Sequence, residues 1–204
     1  MPNQTILEGI DIGQRFHKQW VFRNVNFKLN SGDRLLLTGA NGSGKSTLFR
    51  VLAGQLSPTK GEISLVQDGK KVEPGKWFRH ISWSGPYMDL YPDLKLREAI
   101  KMHFNFRTPL LKFPEILDRL RLAEHQDKEL RHFSSGMLHR VKVGLALFSD
   151  SQILLLDEAT TNMDEENSNL IWDLAREFQH DRILVWASNR TKEFDWFEMR
   201  LDLR

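Results

Sequence analysis

A glycine-rich segment that ends in lysine and serine carries the clearest chemical information in this chain. Residues 39–47 read Gly-Ala-Asn-Gly-Ser-Gly-Lys-Ser-Thr and match the pattern G-x-x-x-x-G-K-[ST] in full. Glycines let the backbone curl until several N–H groups point at one phosphate, and the N-terminus of a following helix adds positive potential. Lys45 would then reach the terminal phosphates, and Ser46 would ligate Mg²⁺. The segment predicts binding of a nucleoside triphosphate; the alternative is a glycine-rich turn with a stray lysine. The residues expected to hold the phosphates are Gly39, Asn41, Gly42, Ser43, Gly44, Lys45, Ser46 and Thr47.

A second candidate motif lies at residues 153–158, where an apolar run ends in two carboxylates, Asp157 and Glu158. At the carboxyl edge of a parallel sheet, such acids would lie beside the phosphate-binding loop. Asp157 would hold Mg²⁺ opposite Ser46, and Glu158 would orient and deprotonate an attacking water. The alternative is an ordinary strand end with a solvated pair of acids.

The elements that must position these residues can be predicted from the spacing of apolar side chains. Residues 34–38 form a short apolar run that predicts a buried strand before the loop, and residues 48–52 continue at helical spacing after it. The apolar runs 153–156 and 183–187 predict strands, with an amphipathic helix over 170–178 between them. This order predicts a right-handed parallel crossover. Residues 93–141 are helical in pattern and look inserted into an α/β nucleotide-binding core.

Composition excludes several classes of protein. The chain has 204 residues, a formal net charge of +2 and no cysteine, so a nucleic-acid partner is not expected and no disulfide or thiolate metal site can form. No run approaches the roughly 18 apolar residues of a membrane span, and residues 1–5 do not resemble a signal peptide. A cytoplasmic location is expected. Helical residues 93–141 carry a mild basic excess, which fits a solvated face or a surface for an acidic partner or lipid head groups.

Residues 133–141, Phe-Ser-Ser-Gly-Met-Leu-His-Arg-Val, resemble the signature segment of the ATP-binding cassette (ABC) nucleotide-binding domains. That signature is normally Leu-Ser-Gly-Gly-Gln followed by a basic residue; Ser134, Gly136 and Arg140 match it, whereas Phe133, Ser135 and Met137 depart from it. The resemblance implies that Ser134 and Gly136 bind the γ-phosphate of an ATP held by a second subunit. Without the rest of the pattern, the segment would be a plain helix N-cap.

Other segments extend the resemblance over most of the chain. Residues 159–164 resemble the family's D-loop, with Asp164 in the matching place, and Phe16 falls where the family has an aromatic residue that stacks on adenine. Trp20 is a nearby substitute, and Phe16 could equally belong to the core. The implied fold is α/β, a P-loop NTPase core with a mixed or parallel sheet, an N-terminal antiparallel β portion and an inserted helical subdomain. The implied division is a single domain, 1–204, with residues 1–92 and 142–204 as the core and residues 93–141 as the helical subdomain.

Two positions depart from the family pattern. Pro86 stands where a glutamine is expected, and Asn189 stands where the family has a histidine. Asparagine can donate a hydrogen bond to the γ-phosphate but cannot carry a proton. Because Lys45, Asp157 and Glu158 remain, we expect slow hydrolysis, with Asn189 among the catalytic groups.

The resemblance implies an ATPase subunit that uses ATP and Mg²⁺, pairs with a second nucleotide-binding subunit as a homodimer or heterodimer, and powers a separately encoded transmembrane permease at the inner face of the membrane. The alternatives are a soluble ABC ATPase without a transported substrate, a degenerate subunit that mainly binds ATP, and a kinase or other P-loop enzyme.

Overall fold

A parallel sheet forms the centre of the molecule. The structure, a computed structural model, describes residues 4–86, 88–161, 163–188 and 195–203. Within these ranges the parallel sheet contains, in spatial order, β6 (Ile81–Ser84), β7 (Ile153–Asp157), β8 (Ile183–Ala187), β3 (Arg34–Gly39) and β9 (Met199–Leu203). Each strand runs parallel to its neighbours. The carboxyl ends of β3 and β7 therefore lie at the same edge of the sheet, as the sequence predicted.

A second, antiparallel sheet is formed by the N-terminal part of the chain. Its spatial order is β2 (Gln19–Asn30), β1 (Thr5–Phe16), β4 (Lys60–Gln67) and β5 (Lys70–Lys71). The antiparallel pairing of β1 with both β2 and β4 confirms the expected antiparallel portion. Register shifts interrupt the pairing of β1 with β2 between Gly9 and Arg15.

Alternate residues of the central strands enter two different hydrophobic clusters. In β7, Ile153 and Leu155 join a cluster with the antiparallel sheet and the helix over residues 45–52, whereas Leu154 and Leu156 join a cluster with the other helices, and all four are 0% exposed. Each such side chain contributes about 1.5–3 kcal/mol when it is fully buried. Burial on both faces explains why these strands are continuous apolar runs rather than alternating ones.

The helices surround this central sheet. They are α1 (Lys45–Leu52), α2 (Leu96–Phe104), α3 (Phe113–Arg119), α4 (Ser135–Leu147) and α5 (Glu165–Gln179), with short 3₁₀ segments at Pro74–Arg79, Ala123–His125 and Leu130–His132. Helices α2 to α4 lie between β6 and β7 along the chain, as the helical pattern predicted. Because α4 runs to Leu147, the expected boundary at residue 142 falls inside a helix.

Local sequence signals account for several helix starts. Pro114 occupies the first turn of α3, where its missing N–H costs nothing, and the Glu115 carboxylate accepts a hydrogen bond from the Lys112 N–H at 2.8 Å. Helix α5 connects β7 to β8, and these two strands are parallel neighbours, as the spacing predicted. Across the described ranges, no helix combines the length and the hydrophobicity that a membrane span requires.

Candidate functional site

The glycine-rich loop leaves β3 at Gly39 and enters α1 at Lys45, which is the strand-loop-helix order that its motif requires. Gly39, Gly42 and Gly44 have φ angles of 147°, 82° and 100°, a region that side chains with a Cβ rarely adopt. A Cβ on Gly44 would also lie 2.4 Å from Val21 Cγ1 on the neighbouring β2. The conformation and the packing of the loop therefore both require glycine at this position.

A matched pair of substitutions separates these two requirements. Gly44→Ala is expected to lower the free energy of unfolding by about 3 kcal/mol, since it adds a steric clash to the left-handed strain. Gly42→Ala meets no heavy atom within 4 Å and should cost about 1 kcal/mol from strain. Urea unfolding of both variants measures the difference, and equal losses would contradict this account of Gly44.

Lys45 lies within the loop rather than in solvent. Its side chain is 5% exposed, and its ammonium donates hydrogen bonds to the carbonyl oxygens of Gly39 at 2.7 Å and Ala40 at 3.1 Å. Ser43 Oγ is buried nearby and has no hydrogen-bond partner among the described residues. A buried cation at the start of a helix and an unpaired hydroxyl form a site suited to an anion.

Asp157, at the end of β7, is a buried carboxylate beside this loop. It is 2% exposed, and neither of its carboxyl oxygens completes a hydrogen bond within the described part of the chain. Burial raises the pKa of Asp157, and the Glu158 carboxylate adds to the rise. The Ser46 hydroxyl, which is close to the carboxylate but falls short of full hydrogen-bond geometry, and the Lys45 ammonium act in the opposite direction. The structure thus brings Lys45, Ser46, Asp157 and Glu158 together, as the sequence predicted.

The donor set at this edge fits Mg²⁺. A carboxylate and a hydroxyl are hard oxygen ligands, and the unpaired oxygens of Asp157 would gain a partner in the ion. Within the described residues, no group of three or more His, Asp or Glu side chains is placed to hold a metal. An ion here would take its remaining ligands from water and from a phosphate, which is how Mg²⁺ usually binds at such sites.

Glu158 has an unusual backbone conformation that the sequence did not reveal. Its φ angle is 56°, in the left-handed region, and its N–H donates to the Ala187 carbonyl at 3.2 Å. A non-glycine residue in such a conformation costs of order 1–3 kcal/mol and persists where its surroundings enforce it, often at functional sites. The strand end turns sharply here, and the half-buried Glu158 follows directly after Asp157.

The signature-like segment forms the start of α4. Ser134 is the N-cap residue, and its hydroxyl accepts a hydrogen bond from the Met137 N–H at 3.2 Å. Ser134 and Ser135 are exposed, and a Cβ on Gly136 would meet no heavy atom within 4 Å. The hydroxyl and the first N–H groups of this helix therefore lie at an open surface of the chain. The Arg140 guanidinium donates to the Leu120 carbonyl at 2.8 Å, which ties α4 to α3.

Asp164 has a local structural role. It is the N-cap residue of α5 and accepts a hydrogen bond from the Asn167 N–H at 2.8 Å, and the bonds from Asn167 lower the pKa of its carboxyl. This cap was not predicted, although an aspartate ahead of an apolar-periodic run was the available signal.

Of the two aromatic candidates near the end of the β1–β2 hairpin, Phe16 is the more exposed. Phe16 is 45% exposed at the end of β1 and is therefore not a core residue. The Trp20 ring instead packs over Gly13, whose Cβ would lie 2.8 Å from it, and the Arg23 guanidinium stands 4.8 Å from the ring centre.

Pro86 follows the end of β6, close to the carboxylates. It is exposed, and a Cβ on the preceding Gly85 would lie 3.5 Å from Asp157 Cβ. The side chain at position 86 is therefore attached near Asp157, in keeping with the predicted position of the missing glutamine. Asn189, predicted to be catalytic, lies outside the described residues, as does Asn162 of the D-loop-like segment.

Comparisons with known proteins identify the family that this chain resembles. Residues 22–161 match the family model described as "ABC transporter". The Nod factor export ATP-binding protein I of Bradyrhizobium diazoefficiens is 27% identical over 181 residues, 86% of this chain and 59% of that protein. The phosphonates import ATP-binding protein PhnC 2 of Oceanobacillus iheyensis is 29% identical over 196 residues, 87% of this chain and 77% of that protein. The chain thus spans less than two thirds of the length of the first of these relatives.

The fold also has close counterparts among solved structures. A dimeric ATP-binding cassette in a post-hydrolysis state, bound to ADP and Pi, superposes with a TM-score of 0.82 at 18% identity and covers 97% of this chain and 94% of its own. This similarity confirms the α/β fold with its parallel and antiparallel sheets. The matched family model covers the phosphate loop, the signature-like segment and both carboxylates, so this chain belongs to the ABC transporter family.

Proposed function

We propose that this chain is a nucleotide-binding subunit that binds ATP with Mg²⁺, hydrolyses the ATP and thereby powers an ABC transporter. The observation that best supports the proposal is the buried, unpaired carboxylate of Asp157 beside Ser46 and Lys45. Leaving a carboxylate buried without partners is unfavourable in the isolated protein, and binding of a cation would relieve that cost. The buried carboxylate and the neighbouring cation support the proposal that the ligand is a metal-bound polyphosphate.

In this proposal the phosphate loop holds the β- and γ-phosphates. Its backbone N–H groups and the start of α1 face the phosphate oxygens, and the Lys45 ammonium exchanges its carbonyl partners for the terminal phosphates. Ser46 and Asp157 hold Mg²⁺, which when bound neutralises charge on the phosphates. Phe16 stacks on the adenine. The loop residues in this role are Gly39, Asn41, Gly42, Ser43, Gly44 and Thr47.

Glu158 carries out the proton transfer of hydrolysis. Its carboxylate orients a water and accepts a proton from it while the water oxygen forms a bond to the γ-phosphorus. The bond from that phosphorus to the bridging oxygen breaks, which leaves ADP and inorganic phosphate. The enforced left-handed backbone of Glu158 fixes where its side chain begins, in keeping with a group that must be accurately placed.

The second half of each site comes from another subunit. Ser134 and Gly136 lie at an open helix N-terminus, which is suited to a phosphate presented from outside the chain. We propose that Ser134, Gly136 and Asp164 of one subunit complete the site around Lys45 of its neighbour. ATP then contacts both subunits only when the pair is closed. The resulting higher affinity of the closed pair for ATP drives closure.

A groove beside β6 is the proposed contact with a separately encoded permease. It encloses about 600 Å³ between the segment after β6 and helices α2 and α4. Met88 and Phe106 on its rim are 41% and 85% exposed. His103 also lines the groove, and burial lowers its pKa to about 4, so its ring is uncharged at pH 7. The proposed helical subdomain 93–141 supplies most of α2 to α4 and would pass the closing motion to this groove.

The test of hydrolysis is phosphate release by the purified chain with ATP and Mg²⁺, with Glu158→Gln as the matched control. A rate no higher than that of the control would favour the alternative, a degenerate subunit that mainly binds ATP.

To separate a transporter subunit from a soluble ABC ATPase, the membrane-bound fraction of the protein is compared between Phe106→Glu and Ile10→Glu. Ile10 is 56% exposed on the antiparallel sheet, so loss of membrane association in the Phe106 variant and not the Ile10 variant supports the permease.

Replacing Asn189 with histidine is expected to raise the single-turnover rate of hydrolysis about tenfold, because a histidine can hold the γ-phosphate and carry a proton. Asn189→Ala serves as the control and should be no faster than the natural protein. If Asn189→His gives no gain and the natural protein already turns over rapidly, the proposal that Asn189 slows hydrolysis is wrong.

A further inference from the structure

His139 connects the start of α4 to the segment that follows Glu158. Its Nε2 lies 2.7 Å from the Ala159 carbonyl oxygen. A carbonyl can only accept, so Nε2 carries the hydrogen and the ring donates. Burial lowers the pKa of His139, so the neutral ring makes this bond at pH 7.

The bond joins two elements to which we assign different roles. On one side, α4 carries Ser134 and Gly136, which face outward toward a neighbouring subunit. On the other side, Ala159 is bonded directly to Glu158, whose backbone is held in a left-handed conformation. His139, Gly136 and Thr161 border the same cavity of about 250 Å³ between these elements. Around this cavity, the imidazole bridges the helix to the strand end.

A second connection from the same helix contributes less to stability. The Lys142 ammonium lies 2.9 Å from the Asp89 carboxylate, in the segment after β6. That carboxylate is 87% exposed, and exposed ion pairs contribute little because water screens them. Ala159, in contrast, is 1% exposed, so loss of the His139 bond would leave its carbonyl without a partner among the residues that the structure describes. The buried hydrogen bond is the stronger of the two connections.

We propose that His139 is a positioning residue that couples the two nucleotide sites of a pair. When α4 is held by the ATP of the neighbouring subunit, its hydrogen bond to Ala159 fixes the backbone beside Glu158 in its own subunit. ATP bound at one site thus sets the position of the water-activating carboxylate at the other. This inference rests on the proposed function, namely hydrolysis by a pair of subunits.

The test is the ATP dependence of hydrolysis in His139→Leu, His139→Phe and His139→Gln. The two variants without a donor are expected to lower kcat about tenfold, the effect of one lost buried hydrogen bond, and to move the Hill coefficient towards about 1. Their affinity for ATP as single chains should stay unchanged. His139→Gln should restore cooperativity, since its amide can donate to Ala159. His132→Leu is the matched control, because His132 is exposed with its side chain 61% accessible.

The outcomes separate the two proposals. A folded natural protein that neither hydrolyses ATP nor pairs overturns the proposed function, and this inference with it. A cooperative natural protein whose cooperativity and kcat survive in His139→Leu or His139→Phe overturns the inference alone. The inference is also overturned if His139→Gln is as uncooperative as the donor-free variants, because packing and not hydrogen bonding would then explain the loss.

Discussion

The Glu158→Gln variant is expected to hydrolyse ATP about 10²–10⁴ times more slowly than the natural protein, while it still binds ATP. The amide has nearly the same shape as the carboxylate but cannot accept the proton of the attacking water. Because the phosphate loop, Ser46 and Asp157 are untouched, nucleotide should bind normally. Pairs that close on ATP would then be unable to reopen by hydrolysis, so the variant should accumulate as a stable dimer.

Single-turnover hydrolysis and light scattering with ATP and Mg²⁺ measure both effects. The control is Glu165→Gln, a carboxylate in the exposed first turn of α5, which should hydrolyse at the natural rate. Full activity in Glu158→Gln would show that another group activates the water. A monomer that holds ATP without pairing would contradict the shared site.

The Asp157→Asn variant is expected to be more stable than the natural protein without ligand and to lose its response to Mg²⁺. The unpaired oxygens of Asp157 are buried, and an unsatisfied buried group costs about 1–3 kcal/mol, more when it is charged. We expect a gain of about that size in the free energy of unfolding at pH 7, because asparagine is neutral and can donate as well as accept. Addition of Mg²⁺ and ATP should stabilise the natural protein markedly and the variant little.

The difference in free energy of unfolding between Asp157→Asn and the natural protein should depend on pH. Burial raises the pKa of Asp157 above its ordinary value of 3.8, so the folded state favours the protonated form. The corresponding stability is present at low pH and is lost as the pH rises through the folded-state pKa. The advantage of asparagine should therefore shrink as the pH falls toward that pKa. Urea unfolding at several pH values measures this, and a variant less stable than the natural protein at pH 7 would contradict it.

The elements that carry the chemistry were predictable because their signals are local. The strand over 183–187 was predicted with its observed bounds, since an apolar run of this length is typical of a buried strand and too short for a typical helix. The loop of residues 39–44 was predictable because the sequence itself shows its three glycines. In the structure all three adopt the positive φ angles that glycine permits. Helix α3 could be placed from Pro114 and its apolar face.

Other features depend on contacts between distant residues and could not be predicted. Strand β1 is interrupted by register shifts at its pairing with β2, which blur the alternation that identifies a strand. The left-handed conformation of Glu158 is imposed by its neighbours and not by its own type. The bond between His139 and Ala159 spans 20 residues of chain, so no spacing rule could indicate it. The roles of the site residues in ATP chemistry stay predictions.

The most direct test of a shared site is complementation between two inactive variants. Lys45→Ala disables the phosphate loop but keeps the start of α4. A Cβ added at Gly136 would meet no heavy atom within 4 Å in its own chain, and glutamate suits a helix N-terminus, yet Gly136→Glu places a negative charge against the neighbour's phosphate. Mixed in equal amounts, the two variants form pairs in which the phosphate loop of the Gly136→Glu chain meets the intact helix of the Lys45→Ala chain. We predict that each variant is inactive alone and that the mixture regains ATP hydrolysis; a mixture as inactive as its components, or a fully active Gly136→Glu protein, would contradict the account.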